Sequence, residues 1–297
     1  MFGAIDSAPM GLPDDLSLRD ADPDDLLAIG VLRTSVGWSV HEWALRAVIG
    51  VPHARCVVAM DGDGAMAGVG SGIVYGPLGF VGNMVVADAH RRRGVGSAIL
   101  ESVTAFLEDA GCRRLELNAT SEGRPLYERH GFASVGRSAT ARIPRNAVRS
   151  RDPTVPIRRA EAHDLERLAT YDGRRFGGDR GPLLEMLLDD PAAIVLLADR
   201  AGAGLAGYAC VRPQEPRVGP MLADEPSVAE MLLVDAFEAA PAADNLRLNL
   251  PPDNRPGAEW LGRLGIRIEP WDGRMARGPQ IPRRAETIYG MTVGALG

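Results

Sequence analysis

One stretch constrains this chain more than any other. The apolar run Val81-Gly82-Asn83-Met84-Val85-Val86 is followed, after four residues, by Arg91-Arg92-Arg93-Gly94-Val95-Gly96-Ser97. The first part reads as a buried strand and the second as a basic, glycine-rich turn that opens a helix. From Gly94 to Ala110 the residues Val95, Ile99, Val103, Phe106, Leu107 and Ala110 recur at helical spacing, and Gly111 ends the run. Strand, turn and helix in this order bring backbone N–H groups, a positive helix end and arginines around one small volume. That volume suits a phosphate. Gly94 and Gly96 allow the main chain a close approach and positive φ there. Arg91, Arg92 and Arg93 repel one another at a positive helix end, so an anion is expected among them.

The rest of the pattern alternates between strand and helix. Leu16–Arg19 reads as a strand, and Asp22-Pro23-Asp24-Asp25 caps the helix that follows. A second helix is expected over Ser39–Ile49, strands over Cys56–Met60, Ala65–Tyr75, Gly79–Val86 and Arg114–Asn118, and a short helix over Gly123–His130. After Gly131-Phe132 a strand pair is expected to run to Arg142. Between Ile143 and Val155 the periodicity breaks, with prolines and arginines and no apolar face, as in a linker.

Beyond that break the chain repeats itself. Leu18-Arg19-Asp20-Ala21-Asp22, with Asp25-Leu26 after it, resembles Ile157-Arg158-Arg159-Ala160-Glu161, with Asp164-Leu165 after it. Leu115-Glu116-Leu117-Asn118 resembles Leu246-Arg247-Leu248-Asn249. Two copies of one fold follow, and 297 residues are enough for both cores. The expected domains are residues 1–142, a linker over 143–155, and residues 156–297. The second copy has Val218-Gly219-Pro220-Met221 in place of the arginine-rich turn and Leu261 in place of Tyr127, so it is expected to be catalytically silent.

Composition narrows the partners. The net charge of −6 argues against nucleic acid, and no apolar run approaches a membrane span. The start lacks the basic-then-apolar pattern of a secretory signal, so a cytoplasmic protein, monomer or homodimer, is expected. All 33 basic residues are arginine, which removes lysine chemistry. Cys56, Cys112 and Cys210 have no metal or redox spacing, and no metal is expected.

The Met84-Val85-Val86 strand, the turn Arg91-x-x-Gly94-x-Gly96, and the block Leu115–Thr120 leading to Leu126-Tyr127-Glu128-Arg129-His130-Gly131-Phe132 together resemble the GCN5-related N-acetyltransferase (GNAT) superfamily. The likeness covers roughly residues 16–142. The whole chain is similar to a two-domain subgroup with a divergent second domain. The resemblance implies an α/β (α+β) fold: tandem domains, each a splayed, mixed, mostly antiparallel sheet flanked by helices. It implies acetyl-CoA as cofactor, released as CoA, with Met84, Val85 and Val86 binding the acetyl and pantetheine part. The turn from Arg91 to Ser97 would take the diphosphate. Ser121 stands where relatives have an asparagine that touches CoA. It further implies acetyl transfer to a primary amine of a small molecule (amino acid, polyamine, amino sugar or antibiotic) by direct attack in a ternary complex. Tyr127 would be the acid for the departing thiolate and Glu116 the leading base. Trp38, His41 and Glu42 lie where this superfamily places acceptor-binding groups. The competing reading is a silent acyl-CoA-binding sensor or scaffold.

Overall fold

In a computed structural model, which describes residues 11–149, 155–200, 202 and 204–297, both halves of the chain feed one sheet. The first half supplies β1 (Leu16–Asp20), β2 (Ala54–Asp61), β3 (Met66–Tyr75), β4 (Leu78–Val86), β5 (Arg114–Ala119) and β6 (Ala133–Pro144). Its helices are α1 (Leu26–Ser35), α2 (Glu42–Arg46), α3 (Val95–Asp109) and α4 (Arg124–Arg129). The second half supplies β7 (Ile157–Arg159), β8 (Ile194–Arg200), β9 (Gly204–Arg212), β10 (Arg217–Ala223), β11 (Asn245–Leu250), β12 (Ile268–Arg277) and β13 (Ile288–Gly290). Its helices are α5 (Leu165–Phe176), α6 (Gly181–Asp189), α7 (Pro226–Ala239) and α8 (Arg255–Arg263).

The internal repeat is built from matching interactions. Before α1, Asp25 accepts hydrogen bonds from Arg19 at 2.6 and 2.7 Å and from the Asp22 amide at 2.9 Å. Before α5, Asp164 accepts from Arg158 at 2.7 and 2.6 Å and from the Glu161 amide at 2.9 Å. Each carboxylate satisfies an orphan helix-entry N–H and is itself charge-paired, so the same short motif starts both copies.

Three sequence expectations change. The helix expected over Ser39–Ile49 shrinks to α2, because Val48 and Ile49 turn into the core and Gly50, at φ 70°, leaves the helical path. The strand pair expected before Arg142 is one continuous strand, since Ser138-Ala139-Thr140-Ala141 carries no turn chemistry. The linker expected from residue 143 begins later. Strand β6 runs to Pro144, and the Arg145 guanidinium binds the carbonyls of Phe237, Ala240, Pro241 and Ala243 at 2.9–3.0 Å. Residues 150–154 of that segment lie outside the described residues.

The strand order is β1-β2-β3-β4-β5-β12-β6-β11-β10-β9-β8-β7, with β13 against β10. The halves therefore exchange strands. β12 of the second half lies antiparallel between β5 and β6, and β6 of the first half lies antiparallel between β12 and β11. The cores are shared as well. Tyr75, Leu78 and Phe80 pack in one cluster with Leu168, Phe176, Leu184 and Leu296, and Met275 joins the apolar layer between α3 and the sheet. Neither half closes its own core without the other.

Candidate active site

The sheet opens where β4 turns away from β5. The two pair in parallel only over Leu78–Val81 and Arg114–Leu117. Two residues later Asn83 adopts φ 56°, a left-handed conformation that Asn tolerates better than most residues. Its buried amide fixes the bend: Oδ1 accepts from Arg33 Nη1, and Nδ2 donates to Ser71 Oγ at 2.8 Å. Beyond Val81 the β5-facing side of β4 has no strand partner among the described residues, which leaves main-chain groups of Met84 to Val86 facing a gap. The Val86 carbonyl accepts from Arg91 Nε at 3.3 Å.

A cavity of about 330 Å³ fills the wide end of this gap. Its walls come from both halves: Met84, Asn118 and Tyr127 from the first, Arg217, Asn249 and Trp271 from the second. The floor is the segment after β13. Asn118 Nδ2 donates to the Gly294 carbonyl at 3.0 Å, and the Tyr75 hydroxyl donates to the Leu296 carbonyl at 2.8 Å. Gly82 makes this seat possible, since a Cβ there would lie 2.2 Å from the Ala295 carbonyl oxygen.

The equivalent gap in the second half is filled by the chain itself. β10 and β11 pair in parallel only at Arg217–Val218 with Arg247–Leu248. Beyond that point β13 pairs with Met221 and Leu222 of β10, and the Met291 amide donates to the Asn249 carbonyl at 2.8 Å. The position matching Tyr127 is Leu261, fully buried on α8. A strand of the protein thus occupies the slot that stays open between β4 and β5.

The basic turn joins strand to helix as expected, with positive φ at Gly94 but not at Gly96, which lies inside α3. Arg92 and Gly94 sit at φ 61° and 85°, and α3 begins at Val95 with no side chain capping its first N–H groups. Gly96 lies close under Val86 and Leu126, where a Cβ would be 3.5 and 3.3 Å from their methyls. Val95 is buried and Ser97 half-buried. The mutual repulsion expected among the three arginines is partly relieved from within the protein. Arg93 is held by Asp15 at 2.7 Å, and Arg91 by Asp88 at 3.1 Å with Glu122 at 3.7 Å. Arg92 has no ion-pair partner among the described residues. Ser121 is exposed in the turn before α4.

Of the two catalytic candidates, only Tyr127 lines the cavity. Its ring is buried and packs edge-on to Phe132 with centroids 6.1 Å apart. Glu116 is not placed to act as a base. Its carboxylate is 1% exposed and accepts from Arg274 at 2.8 Å, Arg283 at 3.1 Å and Arg114 at 3.1 Å. Burial alone would raise its pKa, but Arg274 and Arg283, with the hydrogen bonds from Arg283 and Arg114, outweigh that and hold it at about 2. A carboxylate so satisfied is a poor proton acceptor; its role is to bind β5 to β12. Replacing it by Gln would leave buried guanidinium groups uncompensated, and Glu116→Gln is expected to cost roughly 3–5 kcal/mol in urea unfolding. Because the folded pKa is depressed, the stabilisation is complete above the ordinary value of 4.5 and is lost as pH falls toward about 2.

The acceptor candidates divide. Trp38 and His41 line the cavity, whereas Glu42 is exposed and bonded to Arg46 at 2.6 Å on the outer face of α2. The cation over the Trp38 ring is Arg33, 5.4 Å from its centroid, and that guanidinium also donates to the Ser39 carbonyl at 2.8 Å. His41 Nδ1 lies 2.7 Å from Glu215 Oε2, and Trp43 Nε1 donates to the other oxygen of Glu215 at 3.1 Å. Burial is the main cause of a lowered His41 pKa; Glu215 opposes it and Arg217 and Arg33 reinforce it.

Reading the sequence missed Arg33, Asn83, Arg217, Arg247 and Trp271, all of which line the cavity. Asn83 was visible as the one polar residue in an apolar strand. The second-half residues carried no such signal, because only the exchange of strands brings them to the first half.

Comparisons with known proteins agree with this architecture. Residues 52–134 and residues 168–290 each match a family model described as an acetyltransferase (GNAT) domain. The chain is 25% identical over 230 residues to the uncharacterized N-acetyltransferase YitH of Bacillus subtilis, which covers 75% of this chain and 78% of that protein. A crystal structure from Pyrococcus horikoshii, of a protein proposed to be an acetyltransferase, superposes with a TM-score of 0.79 at 23% identity over 96% of both chains. A tandem GNAT protein from the clavulanic acid biosynthesis pathway superposes with a TM-score of 0.59 at 13% identity, over 89% of this chain and 99% of that one.

Proposed function

The chain is a tandem member of the GCN5-related N-acetyltransferase superfamily and an acyltransferase, and on that premise we propose that it transfers an acetyl group from acetyl-CoA to the amine of a small molecule. The observation that carries this reading is the open side of β4 beyond Val81, where Met84 lines one cavity with the Tyr127 side chain.

The residues present fit the donor. Main-chain groups of Met84 to Val86 would bind its amides in strand fashion. The uncapped N–H groups from Gly94 to Ser97, with Arg92 beside them, would take its diphosphate. Bound there, acetyl-CoA supplies an acetyl group activated as a thioester. Tyr127 donates a proton to the departing sulfur. Proton removal from the amine falls to His41. Its Nδ1 lies 2.7 Å from Glu215 Oε2, and with the ring proton on Nδ1 the Nε2 lone pair is free to accept. The lowered pKa keeps the ring neutral at neutral pH, in the form a base requires. Attack is direct, in a complex that holds both substrates.

A thiol-release assay with acetyl-CoA and a panel of amines, with calorimetry of CoA binding, tests this reading. Turnover and saturable binding are expected. The acid limb of kcat is expected below the ordinary histidine value of 6.5 and to vanish in His41→Gln. Absence of both CoA binding and thiol release would end the proposal, and a limb unchanged in His41→Gln would remove the histidine from it.

A further inference from the structure

The acceptor end of the cleft is charged in a way that the reading above leaves unexplained. Arg33, Arg217 and Arg247 line the cavity, and no Asp or Glu does so among the described residues. Arg217, the first residue of β10, is 6% exposed, and its Nη1 has no hydrogen-bond partner among the described residues. Its register partner on the neighbouring parallel strand β11 is Arg247, so two like charges stand side by side. The nearby carboxylate, Glu215, accepts from Trp43 at one oxygen and has the other 2.7 Å from His41 Nδ1; it makes no hydrogen bond or ion pair to Arg217 among the described residues. Trp271 contributes a second buried donor, Nε1, that has no partner among the described residues.

A guanidinium withdrawn from water beside a like charge is costly unless an anion reaches it. Burial first, then Arg247, lower the Arg217 pKa to about 10, with Glu215 opposing; the group is still charged at neutral pH. Arg33 is different, because Asn83 and the Ser39 carbonyl satisfy it. The basic turn at Arg91–Ser97 does not line this cavity, so the diphosphate it would hold is a separate anion.

We propose that the acceptor is an amine that also bears an oxyanion, a carboxylate or a phosphate, and that Arg217 and Arg247 of the second half bind this group. The proposal rests on the transfer reading above and deepens it. The half that lacks a cofactor slot becomes the half that selects the substrate. Polyamines and polycationic amino sugars are rejected by the same charges, even though the chain as a whole is acidic.

Two measurements test it. The first needs no turnover: binding of N-acetylated amino acids and of N-acetylglucosamine 6-phosphate, each against its amide or unphosphorylated counterpart, followed by ligand-observed NMR. Binding of at least one anionic member over its neutral counterpart is expected, weakened about 10- to 100-fold in Arg217→Met. A carboxylate preference identifies an amino-acid-like acceptor and a phosphate preference an amino-sugar phosphate. Arg247→Met, at a more exposed site, serves as the second variant. The other measurement compares KM for amino acids with KM for their amides in the thiol-release assay, with CoA affinity as the unchanged control. Equal binding of charged and neutral members, or no loss in either variant, overturns the anion site. Selective binding without thiol release would keep the anion site and sink the transfer reading instead.

Discussion

A chain cut after Arg149 will not fold as a monomer. The cut removes β12, which lies between β5 and β6, and so strips both strands of the neighbour that joins them. It also removes Arg274 and Arg283 from buried Glu116, and Leu168, Phe176 and Leu296 from the core around Tyr75 and Phe80. Two open edges and a half-lined core cannot offset the entropy of ordering the chain. The fragment is expected to show no cooperative thermal transition and to aggregate, or to recover its sheet only by pairing β6 with a second copy. A soluble fragment of monomer mass that melts cooperatively would contradict the exchange of strands as a folding requirement.

Tyr127→Phe is expected to lower kcat by roughly 100-fold or more, the range for losing a positioned general acid. The ring sits edge-on to Phe132 in a buried layer, and Phe keeps that packing, so the melting temperature should hold. CoA affinity should also hold, because in the proposed transfer the hydroxyl acts on the leaving sulfur and not on the groups that would bind the nucleotide. Steady-state kinetics with CoA calorimetry separates the cases. A variant with the parent's kcat would remove Tyr127 from the mechanism, and a variant with weakened CoA binding would recast it as a binding residue.

These two predictions draw on different kinds of information. Tyr127 was reached through the motif that carries the family resemblance, a short helix ended by Gly131, and its role as acid is what that resemblance implies. The start of each repeat was legible in the chain itself, since the clamps Arg19–Asp25 and Arg158–Asp164 join residues only six apart. In the turn from Arg91 to Ser97 the positive φ expected at Gly94 is present, whereas Gly96 lies inside α3 and the other positive φ falls on Arg92. Its electrostatics depend on a distant residue, since Asp15 pairs with Arg93. Glu116 was misread for a related reason. Alternation on a strand tells that Glu116 and Asn118 share a face, but not what covers that face. Here Arg274 and Arg283, more than 150 residues away, cover it.

What the amino-acid sequence determined alone was local: the order of strands and helices, the glycine turn that opens α3, and the doubling of the pattern, while the splayed strand and the tyrosine came from the family resemblance. The local features follow from periodicity and short-range hydrogen bonding, which act between near neighbours along the chain. Only the tertiary structure decided that the two copies exchange β6 and β12, that β13 closes one slot while the other stays open, and that Arg217 and Arg247 line the same cavity as Tyr127. Each of these depends on which strand edges and buried charges find one another across the whole molecule. No periodicity encodes that choice, because every candidate edge offers the same backbone donors and acceptors.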